Sequence, residues 1–155
     1  MKYTPVLFYR PHNLVSKGIR SATGSHWNHA GALFYDADGD LMLLEAVEGG
    51  VRVWLWSEAK AYYDQFECEY KFCQERTFVK DYKKTLGAGY DYMGIVRDLF
   101  YYTSLNWLGE NNVVTVYFSN KDDKSKFVCF ELLLYLEGHP KPWGASGLSF
   151  DSRVN

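Results

Sequence analysis

A cysteine at the start of an apolar helix is the first residue of this chain whose type and position suit covalent chemistry. Cys129 stands near the beginning of the run 127–137, which is rich in leucine and is followed by Gly138 and Pro140. That pattern predicts a largely buried helix with the cysteine in its first turn. A thiol attacks as its thiolate, and the partial positive charge at a helix N-terminus favours that form. Because free cysteines before leucine-rich runs are usually small core residues, the position alone does not indicate catalysis.

His29 and Glu45 are the two residues that could serve such a nucleophile. His29 begins a predicted strand beside two small residues, which leave room around the imidazole. A turn near 37–39 folds the next strand back, so that Glu45 comes close to His29 on one face of the hairpin. An imidazole base oriented by a carboxylate is what a thiol nucleophile requires. An exposed strand-end histidine and a solvent-facing strand carboxylate are the simpler alternatives for each residue taken separately.

The elements that must position these residues can be read from hydrophobic periodicity and turn residues. These patterns predict a strand over 4–9, a three-stranded antiparallel meander over 29–55 and a fourth strand over 69–73. Helices are predicted over 13–22, 58–65, 77–87, 92–108 and the final run from 127, with a further strand over 113–118. The absence of repeats and of Pro/Gly/Ser-rich linkers predicts one domain over residues 1–155.

Four segments, in their order along the chain, resemble the circularly permuted NlpC/P60 proteins of the papain-like superfamily, which include the bacterial YiiX/YebB-like group and related poxvirus proteins. Residues 14–31, ending in Asn-His-Ala-Gly, are similar to the stretch that leads to the family's "S-H-V-G" histidine. The other three segments are Leu-Glu-Ala at 44–46 with Gly-Val at 50–51, Gly-Tyr-Asp-Tyr at 89–92, and Phe-Val-Cys-Phe-Glu-Leu at 127–132. They resemble the family's "E-A" strand, its tyrosine-aspartate signature and its "C-S-E-L" helix, although Phe130 replaces the usual serine.

The resemblance implies an α+β, permuted papain-like fold, in which an antiparallel sheet or barrel packs against the helix carrying the nucleophile. It implies a cysteine peptidase or amidase, with Cys129 attacking an amide bond such as that of a peptidoglycan stem peptide, His29 as base and Glu45 orienting the histidine. A thioacyl-enzyme is the expected intermediate. Two alternatives stay open: a lipid-directed acyl hydrolase or acyltransferase, and a non-catalytic member that only holds a ligand. The candidate oxyanion or substrate-binding residues are Tyr90, Tyr92 and Asn28.

Composition and spacing exclude several other classes. A formal charge of −2 with 23% charged residues indicates neither nucleic acid nor anionic lipid as a partner. No stretch has the ~20 apolar residues of a membrane span, no export signal is recognised, and three cysteines favour a reducing, cytoplasmic location. His26 and His29 lie in a loop entering a strand, so a zinc site is not expected. No metal or cofactor is predicted, the expected partner is a peptide or an acyl-containing small molecule, and the oligomeric state is left open.

Aromatic residues make up 18% of the chain, which indicates a dense core, a cleft that accommodates an extended or acyl ligand, or both. The candidates for lining such a cleft are Trp54, Trp56, Tyr62 and Tyr63.

Overall fold

The computed structural model describes residues 1–11, 17, 20, 21, 24–91 and 126–139. Its strands are β1 (Lys2–Tyr9), β2 (His29–Tyr35), β3 (Leu41–Val47), β4 (Gly50–Leu55), β5 (Glu69–Phe72), β6 (Arg76–Thr77), β7 (Gly89–Tyr90) and β8 (Lys126–Phe127). Its helices are α1 (Trp56–Asp64) and α2 (Cys129–Leu136), with one 3-10 turn at Tyr82–Thr85. The predicted elements over 92–108 and 113–118 and most of 13–22 lie outside the described residues, as does Tyr92.

Five strands form an antiparallel sheet in the order β4-β3-β2-β1-β5, and β6 continues the pairing along the outer edge of β1. The predicted meander is confirmed, because β2, β3 and β4 follow one another through tight turns. The fourth predicted strand, β5, adds next to β1 instead of extending the meander. The central strands β1, β2 and β3 are therefore flanked on both edges, and β2 and β3 carry nearly continuous buried residues.

Helix α2 covers one face of the sheet and α1 covers the other. Beneath α2 the sheet presents three small side chains, Ala30, Ala32 and Ala46, among larger apolar ones, and the helix packs against β2 and β3. The helix is buried on nearly all sides, as expected for its apolar sequence. On the opposite face, Ala59 and Tyr63 of α1 pack over residues of β1, β2 and β3.

The prediction of a helix from Thr77 to Gly87 is wrong. The backbone N–H groups of Val79 and Lys80 donate to the carbonyl of Leu136 at the end of α2, and the Phe78 N–H donates to Met1. Those long-range bonds keep residues 78–80 out of a helix, and only the short turn beginning after Asp81 is helical, capped by the Asp81 carboxylate. The predicted helix over 58–65 is confirmed, although it begins two residues earlier, at Trp56.

The architecture agrees with the α+β expectation, with an antiparallel sheet packed against the helix that carries Cys129. The finer prediction of a permuted papain-like arrangement remains a prediction. Within the described residues, no helix has the length and apolar character needed to cross a membrane.

Candidate functional site

His29 and Glu45 are joined by a buried hydrogen bond between His29 Nε2 and Glu45 Oε2, at 2.8 Å. Glu45 is fully buried and His29 is 3% exposed. In the ladder between β2 and β3, Glu45 lies opposite Gly31, two residues beyond His29 on the same face of the sheet. The contact is therefore a diagonal cross-strand pair of the kind that the hairpin predicts.

Gly31 occupies the position between the two partners, and a larger residue there would force its neighbours to shift. A Cβ atom on Gly31 would meet Leu43 Cδ1 at 2.6 Å and the carbonyl oxygen of Leu44 at 3.1 Å. Both leucines are fully buried. The glycine in the predicted Asn-His-Ala-Gly segment thus allows β2 and β3 to pack closely where the histidine and glutamate meet.

Two further side chains complete the surroundings of the Glu45 carboxylate. Arg52, which lies directly opposite Glu45 on β4, donates from Nε and Nη2 to Oε1, at 3.0 and 2.8 Å. Tyr63 of α1 donates its hydroxyl to Oε2, at 2.5 Å. Each carboxylate oxygen of Glu45 therefore accepts two hydrogen bonds, and the buried charge is fully compensated.

These contacts set the ionisation of the pair. Burial works to raise the pKa of Glu45, but hydrogen bonds from His29 and Tyr63 and the charge of Arg52 outweigh it and lower the pKa to about 2. Burial also lowers the pKa of His29, against the opposing influence of Glu45. At neutral pH the site holds an ionised carboxylate beside a neutral imidazole. Because a carboxylate only accepts hydrogen bonds, Nε2 carries the imidazole proton and Nδ1 is the basic nitrogen.

Cys129 is the first residue of α2, as predicted, and its side chain is 2% exposed. Backbone N–H groups of Ala30 and Phe130 donate to its sulfur, which places the thiol beside the residue that follows His29. Within the described part of the chain, no hydrogen bond joins the sulfur directly to the His29 ring. Cys129 therefore packs with Ala30 on the face of the sheet that α2 covers, whereas the His29 ring lies with Phe8 and Tyr63 on the face that α1 covers.

The thiol itself is not activated by its position in the helix. Burial raises the pKa of Cys129 to about 12, and the two backbone donors together with the charge of Arg10 only partly oppose that effect. The sequence-based expectation of a lowered thiol pKa considered the helix terminus alone. Complete burial is the stronger influence, so the resting site contains a neutral thiol.

The helix that carries the cysteine is held by a second buried glutamate. Glu131 accepts a hydrogen bond from the backbone N–H of Val128 at 3.3 Å, which caps the first turn of α2. Its side chain is 3% exposed. The position of Glu131, far around the helix from Cys129, predicts a structural carboxylate, and this contact is of that kind.

Asn28 and Tyr90, predicted as oxyanion or substrate-binding residues, occupy different surroundings. The Asn28 amide is engaged by the backbone of Arg10: Oδ1 accepts from Arg10 N at 3.0 Å and Nδ2 donates to Arg10 O at 3.3 Å. Tyr90 pairs with Phe127 in the parallel β7–β8 ladder, and Phe127 lies two residues before Cys129. Gly50 allows the chain just before β7 to pack closely against β4, because a Cβ atom at position 50 would collide with the carbonyl oxygen of Ala88.

Arg52 and Arg10 were not identified from the sequence as residues near the site, and Tyr63 was identified only as a residue that lines a cleft. Arg52 had a usable signal, since the turn at Glu48 and Gly49 sets a register that puts residue 52 opposite residue 45. Tyr63 was expected to line a cleft, but it is buried at 1% exposure and donates to Glu45. No local pattern could indicate that contact, because it depends on α1 folding over the sheet.

His26 does not join the site, since its ring contacts the Glu69 carboxylate at 3.1 Å. Among the described residues, no three histidine, cysteine, aspartate or glutamate side chains form a group that could hold a metal ion. No model of a known protein family matches the chain, and no curated protein matches it.

Proposed function

We propose that this protein is a cysteine-nucleophile hydrolase that cleaves an amide bond, with Cys129 as nucleophile, His29 as general base and Glu45 as the residue that orients the histidine. The observation that carries the proposal is the buried His29–Glu45 hydrogen bond, together with a cysteine at the start of α2 whose sulfur is bonded to the backbone N–H of Ala30, the residue after His29. A buried carboxylate that holds Nε2 and leaves Nδ1 basic is the arrangement that a proton-accepting imidazole needs.

The number of hydrogen bonds to the Glu45 carboxylate supports a functional role for this residue. A strand carboxylate in an apolar sheet is costly to bury, and an aliphatic residue of similar size would avoid that cost. Here Arg52 and Tyr63 satisfy the carboxylate, so that it stays ionised beside the imidazole. An ionised partner stabilises the imidazolium that forms when His29 accepts a proton.

The reaction begins from a neutral thiol and a neutral imidazole, given the directions of both pKa shifts. His29 Nδ1 takes the Cys129 proton as the sulfur bonds to the carbonyl carbon. Collapse of the tetrahedral adduct breaks the C–N bond, and the imidazolium returns the proton to the leaving amine. Water then attacks the thioester, with His29 taking its proton, and the imidazolium returns that proton to the Cys129 sulfur as the C–S bond breaks, which releases the acid and restores the neutral thiol. This mechanism requires the His29 ring and the Cys129 sulfur, which lie on opposite faces of the sheet, to come together when substrate binds.

A non-catalytic binding protein is the second candidate, and the burial of Cys129 favours it. A thiol with a pKa near 12 and 2% exposure is also what a structural core cysteine has. Under this alternative the His29–Glu45 pair serves only to stabilise the sheet.

The experiment that separates the two candidates is acyl transfer to Cys129. The full chain is incubated at pH 7 with a panel of activated amides, esters and thioesters of one acyl group, and intact mass and peptide mapping follow. A hydrolase acylates Cys129 and releases the acid with turnover. Cys129→Ala abolishes both, and His29→Ala slows acylation by about 10²-fold or more, the usual contribution of a general base.

Cys68→Ala is the matched control, because Cys68 is a more exposed free thiol outside the site. It is expected to leave turnover unchanged. Equal acylation of the His29→Ala protein and the unmodified chain, or acylation confined to Cys68, would contradict the hydrolase and support the binding protein.

A further inference from the structure

Arg10 is a cation held next to the candidate site by its own backbone. It directly follows β1, and the amide of Asn28 binds its N–H and its carbonyl in the two hydrogen bonds described above. The Asn28 backbone is itself bonded to Phe8, at 3.0 Å. The backbone of Arg10, from which its side chain extends, is therefore fixed relative to β2 and His29.

The guanidinium group of Arg10 lies over the ring of Tyr63, with Cζ 5.5 Å from the ring centroid. Its charge reaches both chemical groups of the site. Burial is the main influence on the pKa values of His29 and Cys129, and the positive charge of Arg10 lowers both. Arg10 is only partly buried, so solvent and ligands can reach it.

The partners of Arg10 differ from those of Arg52 and Arg76, whereas Arg20 also lies over an aromatic ring, that of Tyr9. Arg52 is paired with Glu45, and Arg76 is paired with Glu137. Arg10 has no carboxylate partner among the residues that the structure describes. An arginine stacked on an aromatic ring keeps its in-plane N–H donors available, and those donors match two oxygens of one carboxylate or phosphate.

We propose that Arg10 binds an oxyanion, a carboxylate or a phosphate, carried by the ligand close to the bond that Cys129 attacks. The position of the anion relative to the scissile bond rests on the proposed hydrolase function, whereas the anion site itself does not. A substrate with an acidic group near the cleaved amide would be drawn to the site and oriented by a bidentate contact.

The test is binding of two simple oxyanions, inorganic phosphate and sodium acetate, to the full chain at pH 7. Thermal unfolding is followed as each is titrated, with ionic strength held constant by sodium chloride, since a ligand that binds the native state raises Tm saturably. Binding to the unmodified chain is expected, and Arg10→Gln should weaken it by about tenfold or more, which corresponds to ~1.4 kcal/mol. Arg10→Lys, which keeps the charge but not the fork, should retain part of the affinity.

Lys60→Gln is the charge-matched control, because Lys60 is an exposed cation on α1 paired with Asp64. It should leave the titrations unchanged. The starting Tm of each variant shows whether it is folded, and the backbone clamp by Asn28 does not depend on the side chain at position 10. A saturable response to phosphate alone identifies a phosphorylated ligand, and one to acetate identifies a carboxylated ligand. No saturable shift with either anion, or equal shifts in the Arg10→Gln protein, would overturn the proposal.

The same titrations in the Cys129→Ala background separate this inference from the proposed function. Arg10-dependent anion binding without any acylation of Cys129 in the unmodified chain would refute the hydrolase and keep the anion site. Acylation and turnover without Arg10-dependent anion binding would support the hydrolase and refute the anion site.

Discussion

Replacing Glu45 by glutamine tests how the buried carboxylate stabilises this fold. The substitution keeps the size of the side chain but removes its charge and puts an NH2 group in place of one oxygen. In one orientation the NH2 group faces the two donors of Arg52, and in the other it faces His29 and Tyr63. Either way two hydrogen bonds to a charged acceptor are lost, at roughly 1.5 kcal/mol each, so we expect a loss of about 3 kcal/mol of unfolding free energy.

The assay is urea unfolding followed by tryptophan fluorescence at pH 7. With an m value of about 2 kcal/mol/M, a loss of this size lowers the unfolding midpoint by about 1.5 M. Glu48→Gln is the matched control, because Glu48 is an exposed glutamate in the turn after the same strand. It should leave the midpoint within the range of ordinary surface substitutions, about 0.5 kcal/mol.

The pH dependence of this difference gives a second measurement. The pKa of Glu45 is lowered from 4.5 to about 2, so the unfolded chain binds a proton at a pH where the folded chain does not. The stability that the carboxylate contributes is complete above pH 4.5 and is lost as pH falls toward 2. At pH 3.5 about 1.4 kcal/mol has been lost, so the difference between the unmodified and Glu45→Gln proteins should shrink to about 1.5 kcal/mol. A difference that is the same at pH 7 and pH 3.5, or that never exceeds the Glu48→Gln control, would refute the reasoning.

Two further predictions concern the glycine and the thiol of the site. Gly31→Ala should lower the unfolding free energy by about 1–3 kcal/mol in the same urea assay, because its methyl group would overlap the buried side chain of Leu43 and press on the Leu44 carbonyl; a midpoint unchanged from the parent would contradict the close packing. Cys129 in the ligand-free protein should react with iodoacetamide more slowly than free cysteine at pH 7, with a rate that still rises between pH 8 and 11, because burial raises its pKa to about 12. A rate that is already at its plateau at pH 7 would instead indicate a resting thiolate.

The hairpin that joins His29 to Glu45 could be predicted because its register depends on local signals. The turn at 36–40 and the alternation of the flanking strands determine which residues face each other across β2 and β3. The same counting applied to the turn at 48–49 would have identified Arg52 as the partner of Glu45. The prediction for 77–87 failed because long-range hydrogen bonds to Leu136 and Met1 decide that segment, and periodicity within a short window contains no information about them.

The amino-acid sequence by itself determined the order of the strands in the meander, the pairing of His29 with Glu45 and the position of Cys129 at the start of its helix. Each follows from interactions between residues close in the chain, through turn geometry and the apolar pattern. Only the tertiary structure decided how those groups are solvated and charged. Packing of α2 against the sheet buries Cys129 and raises its pKa, packing of α1 brings Tyr63 to Glu45, and the clamp between Asn28 and Arg10 sets a cation beside them. Desolvation and long-range charge depend on distances between segments far apart in sequence, which no local pattern of residues determines.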